Sequence, residues 1–181
     1  ATRQLLCSSC QTVFIDTESY EEILEFGREF LAYLERAADS HPGGSPFVTG
    51  AISLRRYSEG LERIVYGEGA GWNRIFQGKG CSVTVCGDME LELSPMFGNC
   101  LIKRLPRNMA FRCLRRHKGH LQTAGLICAR ESREELEALL CACGVSRITG
   151  AGSMSALFDD GTHDGEYPLR RYVRFVDVED S

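Results

Sequence analysis

The chain has 181 residues, 43% of them hydrophobic and 25% charged, with a formal net charge of −4. That is the size of one domain, or one compact domain with an appendage, and the balance of a soluble globular protein. It excludes disorder and collagen-like repeats, and no apolar stretch approaches the roughly 20 residues of a membrane span; no secretory leader opens the chain, and mild acidity argues against a general nucleic-acid binder.

Residues 11–16, rich in β-branched and aromatic side chains, predict a short strand. Thr17 or Ser19 is placed to cap a helix over residues 20–38, whose apolar positions Ile23, Leu24, Phe26, Phe30, Leu31 and Leu34 recur at three and four. Residues 41–46 end it as a Pro/Gly loop. A second helix fits residues 51–66, with Ile52, Leu54, Leu61, Ile64 and Val65 as its apolar set; Gly60 weakens it by up to about 1 kcal/mol relative to alanine. Residues 67–80, with five glycines and Trp72, read as a loop-rich crossing. Residues 81–86 predict a strand, Gly87-Asp88 a turn, and residues 89–93 a returning strand with Glu90 and Glu92 on its wet face.

Residues 99–104 predict another strand, and Pro106 opens an arginine-rich helical segment to about His117. A strand over 120–127 and a helix over 132–143 follow, with Glu131, Glu134 and Glu135 at the helix N-terminal end and Gly144 as its stop. Residues 145–149 predict a short strand and 150–165 a loop. Pro168 opens a short helix, and 174–178 reads as a closing strand. Strands alternate with helices, so the predicted class is α/β, a mostly parallel sheet with helices on both faces. There is no GxGxxG after a strand and no GxxxxGK[ST], so the sequence offers no nucleotide fingerprint.

Nine cysteines are an odd number for a disulfide set in a chain this apolar. Cys86, Cys128 and Cys141 follow apolar residues and read as buried free thiols, which implies a reducing compartment, most simply the cytoplasm. Cys7 lies just before a predicted strand among small polar residues. Backbone N–H groups there can lower its pKa and hold an oxyanion, and a thiolate attacks a thioester or aldehyde carbonyl. Cys7 and Cys10 also form a CxxC pair, but no second pair with zinc spacing accompanies them: Cys141 and Cys143 diverge on a helix. Arg112, Arg115, Arg116 and Lys118 cluster beside His117 and His120, either as a phosphate-binding patch or as a solvated helix end. His163-Asp164-Gly165 reads as an acid–base pair or, more simply, a turn.

Four segments, taken in order, resemble the C-terminal catalytic half of the LuxC-type acyl-CoA reductases, a branch of the aldehyde dehydrogenase superfamily. They are Gln4-Leu5-Leu6-Cys7-Ser8-Ser9 followed by Gln11-Thr12-Val13-Phe14-Ile15; Gly119-His120-Leu121-Gln122-Thr123-Ala124-Gly125-Leu126; Gly144-Val145-Ser146-Arg147-Ile148; and His163-Asp164-Gly165 with Pro168-Leu169 and Val173-Arg174-Phe175-Val176-Asp177. Cys10 departs from the pattern, standing where a proline is expected, as does Phe175 for tryptophan. The resemblance implies an aldehyde dehydrogenase-type catalytic domain spanning 1–181. In it Cys7 is the nucleophile, Ser8 backbone helps hold the oxyanion, and long-chain acyl-CoA or another acyl thioester is the substrate. It implies NADPH or NADH as cofactor, bound mainly by an upstream domain that this sequence lacks. Supporting binding roles fall to His120, Gln122, Arg115 and Arg116, Cys10 becomes a redox partner for Cys7, and homo-oligomers form through the closing strand. The alternatives are a non-catalytic binding or assembly module of the same fold, and a CxxC redox or zinc protein.

Overall fold

A computed structural model of the chain describes residues 4, 6–40, 46–66, 73–156, 161–174 and 176–178. Phe175 and the first part of the predicted glycine-rich crossing, residues 67–72 with Trp72, lie outside these residues. Two compact units divide the chain, Ala1–Arg116 and His117–Ser181.

The first unit is built on a four-stranded sheet. Strand β1 (Thr12–Ile15) leads into helix α1 (Tyr20–Ser40), and helix α2 (Pro46–Tyr66) follows. Strands β2 (Arg74–Gln77), β3 (Ser82–Cys86) and β4 (Asn99–Arg104) complete the sheet before helix α3 (Arg107–Leu114). Strand order is β1-β4-β3-β2; β4 runs parallel to both β1 and β3, and β2 is antiparallel to β3. The predicted mostly parallel α/β architecture is present. Among the described residues, α1 is packed along β2, β3 and β4.

Ser19 caps α1 by accepting from the Glu22 N–H at 3.2 Å, and Thr17 Oγ1 in turn accepts from the Ser19 N–H at 3.0 Å. Both predicted caps are therefore used, one propping the other. The helical period places Ile23, Leu24, Phe26, Phe30, Leu31 and Leu34 against Val13, Ile15, Phe76, Val83, Val85 and Ile102, which form the core. Gly27 is where helix and sheet come closest. A Cβ there would stand 2.5 Å from Val85 Cγ2. Alanine gains about 0.5–1 kcal/mol of helix propensity over glycine, but overpacking a filled core costs about 1–3 kcal/mol. Gly27→Ala is expected to lose about 1 kcal/mol net, and Gly27→Leu several times that, read as a lower urea midpoint. An alanine variant more stable than its parent would refute this packing account.

Four expectations are corrected. Strand β2 arises inside the predicted glycine-rich crossing, because Arg74–Gln77 is a short run hidden by the glycines around it. Residues 89–93 form no strand, because β3 already has β4 on one edge and β2 on the other. Helix α2 begins at Pro46 rather than residue 51, and its predicted buried face is open at Leu54, Leu61 and Val65. Of the three cysteines read as buried, only Cys86 is; Cys128 and Cys141, in the second unit, are exposed because the elements that carry them leave that side uncovered.

In the second unit, β5 (Thr123–Leu126) and β6 (Arg147–Gly150) pair in parallel around helix α4 (Arg130–Cys143). Gly144 stops α4 at φ 98°, as its position predicts. The Arg147 guanidinium donates to the carbonyls of Met154, Ser153 and Ala156, tying down the turn after β6. The predicted closing strand is absent among its described residues, and Val176 and Val178 are exposed. No described helix is long and apolar enough to cross a membrane.

Candidate active site

Cys7 sits at a corner of a tight turn. The Ser9 N–H donates to the Leu6 carbonyl at 2.9 Å, and the Leu6 N–H donates to Ser9 Oγ at 3.2 Å. Cys7 and Ser8 are thus the two central residues of a β-turn closed twice. The Cys7 thiol is exposed. Among the described residues nothing accepts from the backbone N–H of Cys7 or Ser8.

The loop that carries this turn is held at its base. Gln4 Nε2 donates to the Cys10 carbonyl at 2.9 Å, and Gln4 Oε1 accepts from the Gly98 N–H at 3.0 Å. Ser94 is buried and donates to Gln11 Oε1 at 3.0 Å, while its Oγ accepts from the Met96 N–H at 3.1 Å. Asn99 closes the same corner: its Nδ2 donates to the Met96 carbonyl at 2.6 Å, and its Oδ1 accepts from Ser82 Oγ at 2.6 Å.

Cys10 is half-buried, and its Sγ donates to the Thr12 carbonyl at 3.6 Å. Burial pushes its pKa up, so it is a protonated thiol at neutral pH. Burial also pushes the Cys100 thiol up, to about 12, with Cys10 and Cys81 beside it adding to the effect. A folded value above the ordinary 9.0 means that Cys100 favours the fold fully below pH 9 and loses that contribution between 9 and about 12. The urea midpoint is therefore expected to fall across that window, and Cys100→Ala should flatten part of the fall. An identical alkaline profile in the variant would rule the thiol out. No group of three or more potential metal ligands gathers among the described residues.

On the sheet face opposite α1 lies a buried cation. Ile102 points to the core, so its neighbour Lys103 points away from it. Lys103 is 0% exposed. Its Nζ donates to Asp88 Oδ1 at 2.6 Å and to Glu92 Oε2 at 2.8 Å. Thr12 Oγ1 donates to the Glu92 carbonyl at 2.7 Å, which fastens the same segment to β1. The predicted wet face of residues 89–93 is thus an anchored segment: Glu92 holds Lys103, and Glu90 pairs with Arg116.

Arg116 is engaged by that ion pair at the end of α3, and Arg115 is exposed beside it. This favours the solvated helix end over a phosphate-binding patch, because a carboxylate already holds the Arg116 guanidinium. In the second unit His120 is exposed in the turn before β5. Gln122 Nε2 donates to Asp164 Oδ1 at 2.5 Å, joining the two motifs that carry Gln122 and His163-Asp164-Gly165. His163 and Glu166 bridge across a two-residue turn with Asp164 at φ 54° and Gly165 at φ 83°. That is the hairpin geometry for which Asp-Gly is suited, and the turn reading accounts for these residues. His163 Nδ1 lies 3.1 Å from Asp164 Oδ2, with both side chains exposed.

Sequence reasoning proposes Cys7 and misses the side chains that hold its loop. Lys103 was detectable as a charge within a strand whose preceding residues, Cys100-Leu101-Ile102, are all apolar. Ser94 and the side chain of Gln4 had no such signal. No curated protein matches the chain. A family model described as Acyl-CoA reductase (LuxC) matches residues 3–175.

Proposed function

We propose a function on one premise: the chain belongs to the acyl-CoA reductase (LuxC) family. It is an oxidoreductase of the acyl-CoA reductase kind, and we assign to this chain the acyl-transfer step. Cys7 as thiolate attacks the thioester carbonyl of a long-chain acyl-CoA. A carbon–sulfur bond to Cys7 forms, and the bond to coenzyme A sulfur breaks. The coenzyme leaves as its thiolate and takes a proton from solvent. The backbone N–H groups of Cys7 and Ser8 stabilise the oxyanion between those events. What supports this reading is one feature: an exposed thiol at the corner of a doubly closed turn, with two backbone donors unclaimed among the described residues.

The described residues do not fit a dinucleotide. No described helix follows a parallel strand through a glycine-rich turn, and α1 opens with Glu21 and Glu22, which oppose a diphosphate. We therefore assign the hydride supply, NADPH or NADH, to a domain upstream of this sequence. The fatty aldehyde is the product of the two parts together. The cytoplasm is the compartment in which nine free thiols persist.

The test is intact-mass spectrometry after incubating the reduced chain with a long-chain acyl-CoA, followed by peptide mapping. The expected result is a single acyl adduct on the peptide holding Cys7. No adduct, even with the upstream domain supplied, would leave a non-catalytic module of the same fold.

A further inference from the structure

We propose that Gln4 is the positioning residue of the nucleophile. Its side-chain amide closes the loop 4–10 at the base and locks it to the turn at 96–99. It thereby fixes where Cys7 presents its thiol and where Cys7 and Ser8 present their N–H groups. The proposal rests on the acyl-transfer reading above.

Gln4 lies three residues before Cys7 and reaches the carbonyl of Cys10, three residues after it. Cys7 is therefore the midpoint of a ring that one side chain closes. The same amide spans to the neighbouring segment, accepting from the Gly98 N–H, with Ser94 Oγ and the Asn99 carbonyl each 3.4 Å from Nε2. Gln4 bonds no atom of Cys7 in doing so. Its action on the nucleophile is through the loop.

Backbone strain is concentrated at both ends of this contact. Gln4 has φ 66°, a left-handed conformation that is costly for a residue with a Cβ. Met96, Phe97 and Gly98 are three successive left-handed residues, at φ 61°, 52° and 84°. Two of those three also carry a Cβ. Such conformations persist where surrounding bonds over-determine them, and they cluster at active sites. Here the bonds are those of Gln4, Ser94 and Asn99. A nucleophile displaced by about 1 Å can lose on the order of 10²-fold in rate, so a staple that removes loop freedom has a kinetic consequence.

Gln4→Gly separates the two effects of the residue. Glycine adopts the left-handed backbone without strain and deletes the amide. The melting temperature of the whole chain is expected to stay level or rise. The rate of acyl-adduct formation at saturating long-chain acyl-CoA should fall at least about tenfold, with the half-saturating concentration within about twofold of the parent, the signature of lost alignment rather than lost binding. Hydrogen exchange at the Ser9 amide should quicken. Gln4→Asn, which tolerates the same backbone and keeps a shorter amide, should recover part of the rate. Ser94→Ala serves as a second probe of the same network and should slow transfer while the protein stays folded.

A Gln4→Gly chain that transfers acyl groups within about twofold of an active parent would overturn the proposal. So would a loss of rate in Gln4→Gly accompanied by a fall in melting temperature and not recovered in part by Gln4→Asn. A parent that forms no adduct, with or without the upstream domain, sinks the acyl-transfer reading itself, and the role of Gln4 in transfer with it.

Discussion

Alanine in place of Cys7 is expected to abolish the acyl adduct outright, while Cys10→Ala retains it at near-parental rate. The two thiols are three residues apart and chemically unlike. Cys7 is exposed at a turn corner, where a thioester carbonyl can approach and two backbone N–H groups lie adjacent in sequence. Cys10 is half-buried, its sulfur donates to the Thr12 carbonyl, and burial raises its pKa, so little of it is thiolate near neutrality. Since only the thiolate attacks, burial counts against Cys10 and exposure selects Cys7. Cys128 and Cys141 are exposed thiols on other elements and act as internal controls. They should react with iodoacetamide and not acquire acyl groups at the catalytic rate. Intact mass and peptide maps of parent, Cys7→Ala and Cys10→Ala proteins read this directly. An adduct that forms on Cys7→Ala as fast as on the parent would move the chemistry elsewhere in the chain.

The second large effect concerns Lys103, and its sign depends on which partner is removed. The ammonium has no solvent access, whereas its partners Asp88 and Glu92 are 45% and 57% exposed at the side chain. Replacing both carboxylates together, Asp88→Asn with Glu92→Gln, leaves a buried charge uncompensated. Breaking a buried pair in this way costs about 3–5 kcal/mol. Lys103→Met keeps most of the stem volume and strands two carboxylates that water already reaches, so it should cost about 1 kcal/mol or less. Urea unfolding of the two variants at pH 7 checks the asymmetry; equal losses would show that the ion pair is not what holds residues 88–92 down.

The pH dependence follows from the same geometry. Burial on its own lowers the Lys103 pKa. The hydrogen bonds to Asp88 and Glu92 outweigh it, with electrostatic help from Cys86 and Asp88, and the net value is raised. A raised value contributes stability that is complete below the ordinary lysine value and is lost as pH climbs through the folded one. Lys103→Met should remove that strongly alkaline part of the loss and leave the Cys100 part in place.

Much of the fold was legible from periodicity. Helices α1 and α4 announce themselves by apolar spacing at three and four and by their end residues, Ser19 and Gly144. Strands β1, β3, β4 and β5 are short apolar or β-branched runs bounded by turns. The failures share a cause. Residues 89–93 have a strand-like alternation, but both sides of β3, the strand they would return along, are already taken by β4 and β2, and that is a property of the sheet. Helix α2 has a helical apolar stripe that its unit leaves exposed at Leu54, Leu61 and Val65. Burial of a thiol depends on what lies above it, so Cys86 and Cys128 diverge despite similar apolar neighbours in sequence.

By itself the sequence determined the α/β class and the resemblance to the acyl-CoA reductase family, and it singled out Cys7 as the candidate nucleophile, because each is carried by short runs of adjacent residues. The tertiary structure decided what holds the Cys7 turn. Gln4 meets Gly98, Gln11 meets Ser94, and Lys103 meets Asp88 and Glu92 only because a parallel strand insertion places β4 between β1 and β3. Polar contacts between residues so distant along the chain have no local period. Their partners are chosen by register, which exists only once the sheet has formed.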